Sequence, residues 1–307
     1  MAAHWLPGNR KMERKRLVMR FFKCFCVGSL LWMSGAGAVM AQEAELTETL
    51  PNIFCLVDRT GDGANSTFII TNEGVIVIDT RGSEQEAGQV LKAIREVTDQ
   101  PVVYTINSHF HKENTSGNAV FRSGNSIIAQ KRAQAMMILK AEQEQRAVTP
   151  PNLTFEKKLE IKLGQYHLKL IHPGPAHTDG DLYIYIPKWR IIITGGLVFN
   201  RIIPFLGDGY IESWIHALRE MEDLDAEVIV PGHGPVAGKP IVTQMKHYLM
   251  ELKRYVNDQL DDGKNLPDTM QAVKEQLKGK YGGWQHFERV DENIVRAYLE
   301  YSAQQGT

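Results

Sequence analysis

The sequence predicts an α+β chain folded as a four-layer αββα sandwich. Three observations carry that prediction. Strand-like segments, alternating or rich in β-branched residues, are followed by helical segments, and this order occurs twice along the chain. In each half the helices can cover only one face of the strands. Packing the two bare faces together would then bury both, with helices left on the outside.

Each element has its own local signal. "STFIITNEGVIVIDT" reads as two strands around a turn at Asn72-Glu73-Gly74. Residues 84–98 place Ala87, Val90, Leu91, Ile94 and Val97 at helical spacing, with Ser83 as N-cap. "VVYTIN" is a short β-branched strand, and residues 131–146 are helical. "KLEIKLGQYHLKLIH" alternates as Leu159, Ile161 and Leu163, then as Tyr166, Leu168 and Leu170 across Gly164-Gln165, which is a hairpin. "DLYIYIP" and "RIIITGG" are further strands. Residues 211–224 form a helix with Trp214, Leu218 and Met221 on one side, and "AEVIV" is a last strand ending in "PGHGP". From about residue 240 the chain reads as wholly helical.

Of the 307 residues, 43% are hydrophobic and 23% charged, with 35 basic against 36 acidic, an ordinary globular balance. Without a basic excess no nucleic-acid partner is expected. The local exception is the N-terminus. Arg10, Lys11, Arg14, Lys15, Arg16, Arg20 and Lys23 precede the apolar "CFCVGSLLWMSGAGAVMA", which ends in Val39-Met40-Ala41 before the polar "QEAE". That is the pattern of a secretory signal peptide over residues 1–41, with cleavage after Ala41 and Met12 or Met19 as other possible starts. Its apolar core is shorter than the ~18–20 residues of a spanning helix, so no stable membrane association is expected after cleavage. The mature chain, 42–307, is expected to be periplasmic or secreted, one domain with a helical C-terminal extension. Cys24 and Cys26 fall in the signal, which leaves Cys55 between Phe54 and Leu56 as a buried structural thiol.

Four histidine signals follow strand ends: His109 and His111 in "SHFH", His177 in "GPAHTDGD", and His233 in "PGHGP". Each alone is weak. Jointly they sit in loops where a rigid sheet aims side chains at a cleft. Neutral imidazoles suit Zn²⁺, and three of them leave a position for water whose pKa falls to about 7. Each ligand ring needs an acceptor to fix its tautomer, and Asp79, Asp179 and Asp181 are the nearby candidates. Asp79 reads more readily as a loop-fixing carboxylate, Trp214 as core, Lys112 as solvent-facing or anion-binding, and His172 as structural. Phe199, Asn200 and Pro204 are placed to line the cleft or to pack.

Together "SHFHKEN", "GPAHTDGD", "ITGGLVFN" and "VIVPGHGP", with "VIVIDT" before them, resemble the metallo-β-lactamase superfamily over about residues 47–236. The tail, with "YLMELKRYV", Trp284 and "ENIVRAYLEY", is similar to exported members near quinoprotein and sulfur-oxidation systems. The resemblance implies the αββα fold. It assigns His109, His111 and His177 to a first metal site and His233 to a second. Where the family has Asp, His and a bridging Asp, this chain has Glu113, Asn114 and Gly196. One zinc ion is therefore expected, without a tightly held second. Restoring the missing groups as Gly196→Asp with Asn114→His is expected to raise the stoichiometry toward two.

These assignments imply an exported mononuclear zinc hydrolase acting on a small-molecule ester, thioester, lactone or amide by metal-hydroxide attack. Glu113 would serve as base or orienter, and His233 would bind substrate or protonate the leaving group. The alternative is a catalytically weakened or inactive metal- or ligand-binding member. An iron-dependent sulfur oxygenase ranks last, because the iron-binding Asp of those relatives corresponds to Gly196.

Overall fold

A computed structural model describes residues 44–305. The signal-peptide reading of residues 1–41 lies outside the described residues.

The first sheet has seven strands in chain order: β1 (Ala44–Leu50), β2 (Ile53–Asp58), β3 (Ser66–Thr71), β4 (Gly74–Ile78), β5 (Val102–Ile106), β6 (Ser126–Gln130) and β7 (Leu153–Phe155). The pairs β1 to β4 are antiparallel, and β4 to β7 run parallel. The parallel crossovers carry helix α1 (Glu84–Val97), the short helices α2 (Lys112–Thr115) and α3 (Asn118–Phe121), and α4 (Lys131–Gln143). Ser83 caps α1, accepting from the Glu86 amide at 3.2 Å while its hydroxyl donates to the Glu86 carboxylate at 2.9 Å.

The second sheet comprises β8 (Lys158–Leu163), β9 (Tyr166–Ile171), β10 (Tyr183–Ile186), β11 (Ile191–Ile193), β12 (Val228–Val230) and β13 (Ala237–Gly238). The predicted hairpin closes with Leu163 opposite Tyr166. Only β11 and β12 are parallel, joined across α5 (Ile211–Asp223). The C-terminal extension is three helices rather than one continuous run: α6 (Pro240–Asp261), α7 (Leu266–Tyr281) and α8 (Val290–Gln305). Gly263, at a φ of 68°, makes the first break, and Asn265 caps the next helix.

Strand alternation builds the four layers. Ile184, Ile186, Ile191 and Ile193 face Ile53, Ile69, Ile76, Ile78, Ile106 and Ile128 of the other sheet across one buried cluster. Their neighbours Tyr183, Tyr185 and Ile192 face outward, onto Trp214, Leu218, Met245 and Leu249 of α5 and α6. On the other side Phe68, Val75 and Val77 face Val90 and Ile94 of α1. Each sheet thus buries one face on the other sheet and one on helices, the arrangement the sequence predicts. Cys55 lies between the sheets, its thiol pushed up to about 12 by burial, so it is a packed apolar group rather than a nucleophile.

One side chain fastens the "PGHGP" loop of the second half to the first. Buried Asn65 donates through Nδ2 to the Pro231 carbonyl at 2.9 Å and the Gly234 carbonyl at 2.8 Å. Its Oδ1 accepts from the Asp58 amide at 2.9 Å, and its own amide donates to the Gly232 carbonyl at 2.8 Å. Asn65→Ala removes three buried hydrogen bonds and strands their partners. A loss of about 3 kcal/mol in unfolding free energy is expected by urea denaturation. A loss under about 1 kcal/mol would show that the loop is held elsewhere.

Candidate metal centre

Strand β5 ends at Ile106, and the next turn brings His109 and His111 out of the first sheet. His177 lies in the loop between β9 and β10 of the second sheet. The ligand-capable atoms of His109, His111 and His177 all lie within 4.8 Å of one another. His177 Nε2 is 3.1 Å from His111 Nδ1. Two nitrogens at about 2.05 Å from a tetrahedral zinc would stand about 3.3 Å apart, so the spacing fits such an ion. Nε2 of His109 is buried without any hydrogen-bond partner among the described residues, which is costly unless a cation takes its lone pair. Three imidazoles in this arrangement fit a zinc-type ion.

Neighbouring groups fix two of the three tautomers. His109 Nδ1 donates to the Ser108 hydroxyl at 2.9 Å, which donates onward to Asp79 Oδ2 at 2.7 Å. Asp79 also accepts from the Ser108 amide at 2.8 Å and from Asn114 Nδ2 at 3.0 Å. Burial pushes its carboxyl up to about 6, against the pull of these donors. His111 Nε2 donates to Asp208 Oδ2 at 3.0 Å, leaving the Nδ1 lone pair for the centre. His177 is the least constrained ring. The Phe205 backbone raises its proton affinity, but Nδ1 makes no full hydrogen bond. Trp214 lies against this ring at 5.1 Å and donates through Nε1 to the Leu197 carbonyl, so it is core and floor of the centre together. Burial and the adjacent imidazoles hold His109 and His177 well below the usual histidine range, so both rings are neutral at pH 7.

Of the three acceptors the sequence offered, only Asp79 reaches a ligand ring, and through Ser108. Asp181 instead accepts from the Thr178 amide and hydroxyl and shapes the His177 loop, its carboxyl pushed up to about 7 by burial. Asp179 pairs with Arg132 at 3.5 Å. Asp208, which orients His111, escaped sequence reading because "FLGDGY" carries no periodicity or motif. His172 donates to the Asp181 carbonyl and takes no part in the centre.

Glu113 reaches the triad, with Oε1 3.5 Å from His111 Nδ1 and the carboxylate part-exposed to the cleft. His233 is brought to the same cleft but not into the three-histidine cluster. Its Nδ1 donates to the Gly63 carbonyl at 3.0 Å, its ring stacks on Phe199 at 4.4 Å, and Nε2 is left unpartnered. Burial lowers its proton affinity, so it stands ready as an acceptor. The cleft has a volume of about 380 Å³, with Phe110, Phe199 and Phe205 on its walls and Lys112, Lys140 and Arg146 among its charged lining residues.

Asn114 and Gly196 stand where the resembling family carries second-site ligands, and the structure shows what each does instead. Asn114 is fully buried and turned toward Asp79, away from the cleft lining. A Cβ on Gly196 would stand 2.4 Å from His177 Cδ2 and 2.9 Å from His109 Cε1. The backbone thus lies against the triad rings at the position where the resembling family carries a bridging carboxylate. An Asp side chain there must push against His177, so Gly196→Asp on its own is expected to disturb the three-histidine cluster. Gly196→Asp should lower, not raise, the zinc retained after dialysis, measured by metal analysis. A rise toward two ions would refute the steric account.

Residues 59–233 match the family model described as the metallo-beta-lactamase superfamily. Among similar proteins, a type 2 metallo-beta-lactamase of Elizabethkingia meningoseptica is 24% identical over 55% of this chain and 68% of its own. The alpha subunit of 2,4-dinitroanisole O-demethylase of Nocardioides sp. (strain JS1661) is 29% identical over 64% of this chain and 61% of its own. A linear primary-alkylsulfatase of Pseudomonas sp. (strain ATCC 19151) is 20% identical, and this chain spans 48% of it. Among solved structures, a metallo-beta-lactamase from Pontibacter korlensis superposes with a TM-score of 0.60 at 24% identity, over 67% of this chain and 99% of that one. The FIM-1 metallo-beta-lactamase from Pseudomonas aeruginosa, in its mono-zinc form, gives 0.58 at 18% identity, over 68% and 95%. The fold, the convergent histidines and the match over more than half of the sequence agree: this chain belongs to the metallo-beta-lactamase superfamily.

Proposed function

We propose that this protein is an exported hydrolase that holds one zinc ion on His109, His111 and His177 and cleaves an ester, thioester, lactone or amide. The observation that carries the reading is the convergence of three histidine ring nitrogens beside a cleft lined by His111, His177 and Glu113. Three imidazoles without thiolate suit zinc. Bound there, the ion supplies Lewis acidity toward a carbonyl oxygen and lowers the pKa of a coordinated water to about 7.

The remaining steps belong to the chain's own groups. Glu113 opens to the cleft on the Nδ1 side of His111, the side that faces His177, which places it to accept the proton of an attacking water. His233 presents its unprotonated Nε2 to the same cleft, so it can receive a proton in one step and return it to the leaving group in the next. Phe110, Phe199 and Phe205 exclude water from one wall and leave room for a small molecule. The relatives include a β-lactamase, an alkylsulfatase and an O-demethylase subunit, so the acyl substrate is inferred from the site's chemistry alone.

The crowding at Gly196 favours one ion over two. It also keeps alive a second reading, a weakened member that retains the metal with little turnover. Purified protein should hold about one zinc per chain, and His111→Ala should lose it. Two tightly held ions, or full retention in that variant, would overturn the ligand assignment. On a panel of esters, thioesters, lactones and β-lactams, the hydrolase reading requires turnover. Glu113→Gln should reduce that turnover by about 10²–10³-fold with zinc content unchanged. Wild-type inactivity across the panel would favour the weakened member. Export is proposed from the N-terminal sequence alone, and N-terminal sequencing of the mature protein should begin at Gln42. A chain retaining the basic segment would refute cleavage.

A further inference from the structure

The residues beyond the family match do more than cover the second sheet. The segment from Gln285 to Arg296 grips two loops of the cleft at once. One is the 200–210 loop, which carries Asp208 and Phe205. Gln285 pairs its backbone with it, donating to the Arg201 carbonyl at 3.0 Å and accepting from the Ile203 amide at 2.9 Å. Buried Asn293 donates to the Pro204 carbonyl at 3.0 Å. Arg296 donates through Nη2 to the Gly209 carbonyl at 2.6 Å, one residue beyond Asp208. That loop then acts on His111, through Asp208 at 3.0 Å and through the Phe205 ring at 5.7 Å.

The other is the 59–63 loop. Its base is organised by Asp58, whose Oδ2 accepts from the Thr60 hydroxyl and from the Gly61 and Gly63 amides. Its tip is held by the C-terminal segment, with Arg289 Nη2 donating to Asp62 Oδ1 at 2.9 Å and His286 Nε2 at 3.4 Å from the same oxygen. The next residue, Gly63, supplies the carbonyl that fixes the tautomer of His233.

We propose that the C-terminal segment is a working part of the centre, with Arg296 a positioning residue for His111 and Arg289 a positioning residue for His233. This role rests on the metal-site reading above. Each acts one step removed from a histidine, through the loop that carries that histidine's hydrogen-bond partner. A purely structural role would give uniform loosening instead. Two side chains on one segment, each controlling a different loop, should give separable effects.

The test uses Arg296→Met, Arg296→Lys and Arg289→Met, with Asp291→Asn as control. Asp291 lies on α8 but pairs with Lys274 of α7 at 2.7 Å, away from both loops. Hydrogen–deuterium exchange on metal-free protein should quicken over residues 203–210 in Arg296→Met and over 59–63 in Arg289→Met, with neither change in the control. Zinc affinity by chelator competition should fall about three- to tenfold in Arg296→Met, and Arg296→Lys, which keeps a donor, should restore most of it. The cobalt-substituted spectrum should shift in Arg296→Met and return in Arg296→Lys. Uniform exchange across both loops in every variant, or zinc affinity and spectrum unchanged in Arg296→Met, would overturn the proposal. Should wild-type protein bind no zinc, the metal reading fails, and so does the role toward the centre. Absent turnover with these shifts intact would count against the hydrolase reading alone.

Discussion

Three buried imidazole rings turned toward one point are the constraint on which the rest of this site depends. Burial keeps His109 and His177 uncharged, and a ring that turns a lone pair to the centre must donate from its other nitrogen. The accepting nitrogens of His109 and His111 face the centre only because Ser108 and Asp208 take the protons on their other sides. Ser108 can accept from His109 only because its own proton goes to Asp79. Asp79 must in turn be ionised to accept from three donors, and it sits at a φ of 58° to do so. A strained, buried carboxylate two steps from the centre is thus explained by the lone-pair direction of one ring.

The same packing crowds the space beside the three rings. A second ion needs hard ligands beside the first, and the backbone position that would bear the bridging carboxylate lies against the rings of His177 and His109. The close approach is possible because Gly196 has no Cβ. Asn114, once turned toward Asp79, serves the first site by donating to the carboxylate that anchors Ser108. Gly196 thus leaves room for the rings, and Asn114 holds the carboxylate behind one of them.

The layers were legible in the sequence because period-two alternation is a direct image of two-sided burial. Ile184 and Ile186 alternate with Tyr183 and Tyr185 in the sequence as they do between the two cores. Ser83 and the Gly164-Gln165 turn were legible for the same local reason. Strands β1 and β2 were not, since the edge strand β1 is polar and exposed along much of its length and alternates weakly. Nor were the breaks between α6, α7 and α8, where a short cap interrupts continuous helical spacing. In the site, the three histidines were readable because they sit in motifs at strand ends. Asp208, Asn65 and Arg296 were not, because what they do depends on which distant loop they meet, and a single sequence does not contain that information.

The centre is drawn from both sheets, which makes their relative placement a functional matter. His109 and His111 leave β5 of the first sheet, while His177 and His233 belong to loops of the second. An apolar interface between sheets resists separation but has little directional preference, so it tolerates small slides. A metal site does not, since ligand distances must hold to about 0.2 Å. Directional bonds across the seam supply what packing lacks. The Leu182 amide donates to the Ser108 carbonyl at 2.8 Å, joining the residue before His109 to the end of the His177 loop. Asn65 does the same for the loop of His233. The polar groups buried between the sheets are placed where the two halves of the centre must keep register, and the apolar core elsewhere is left to provide stability alone.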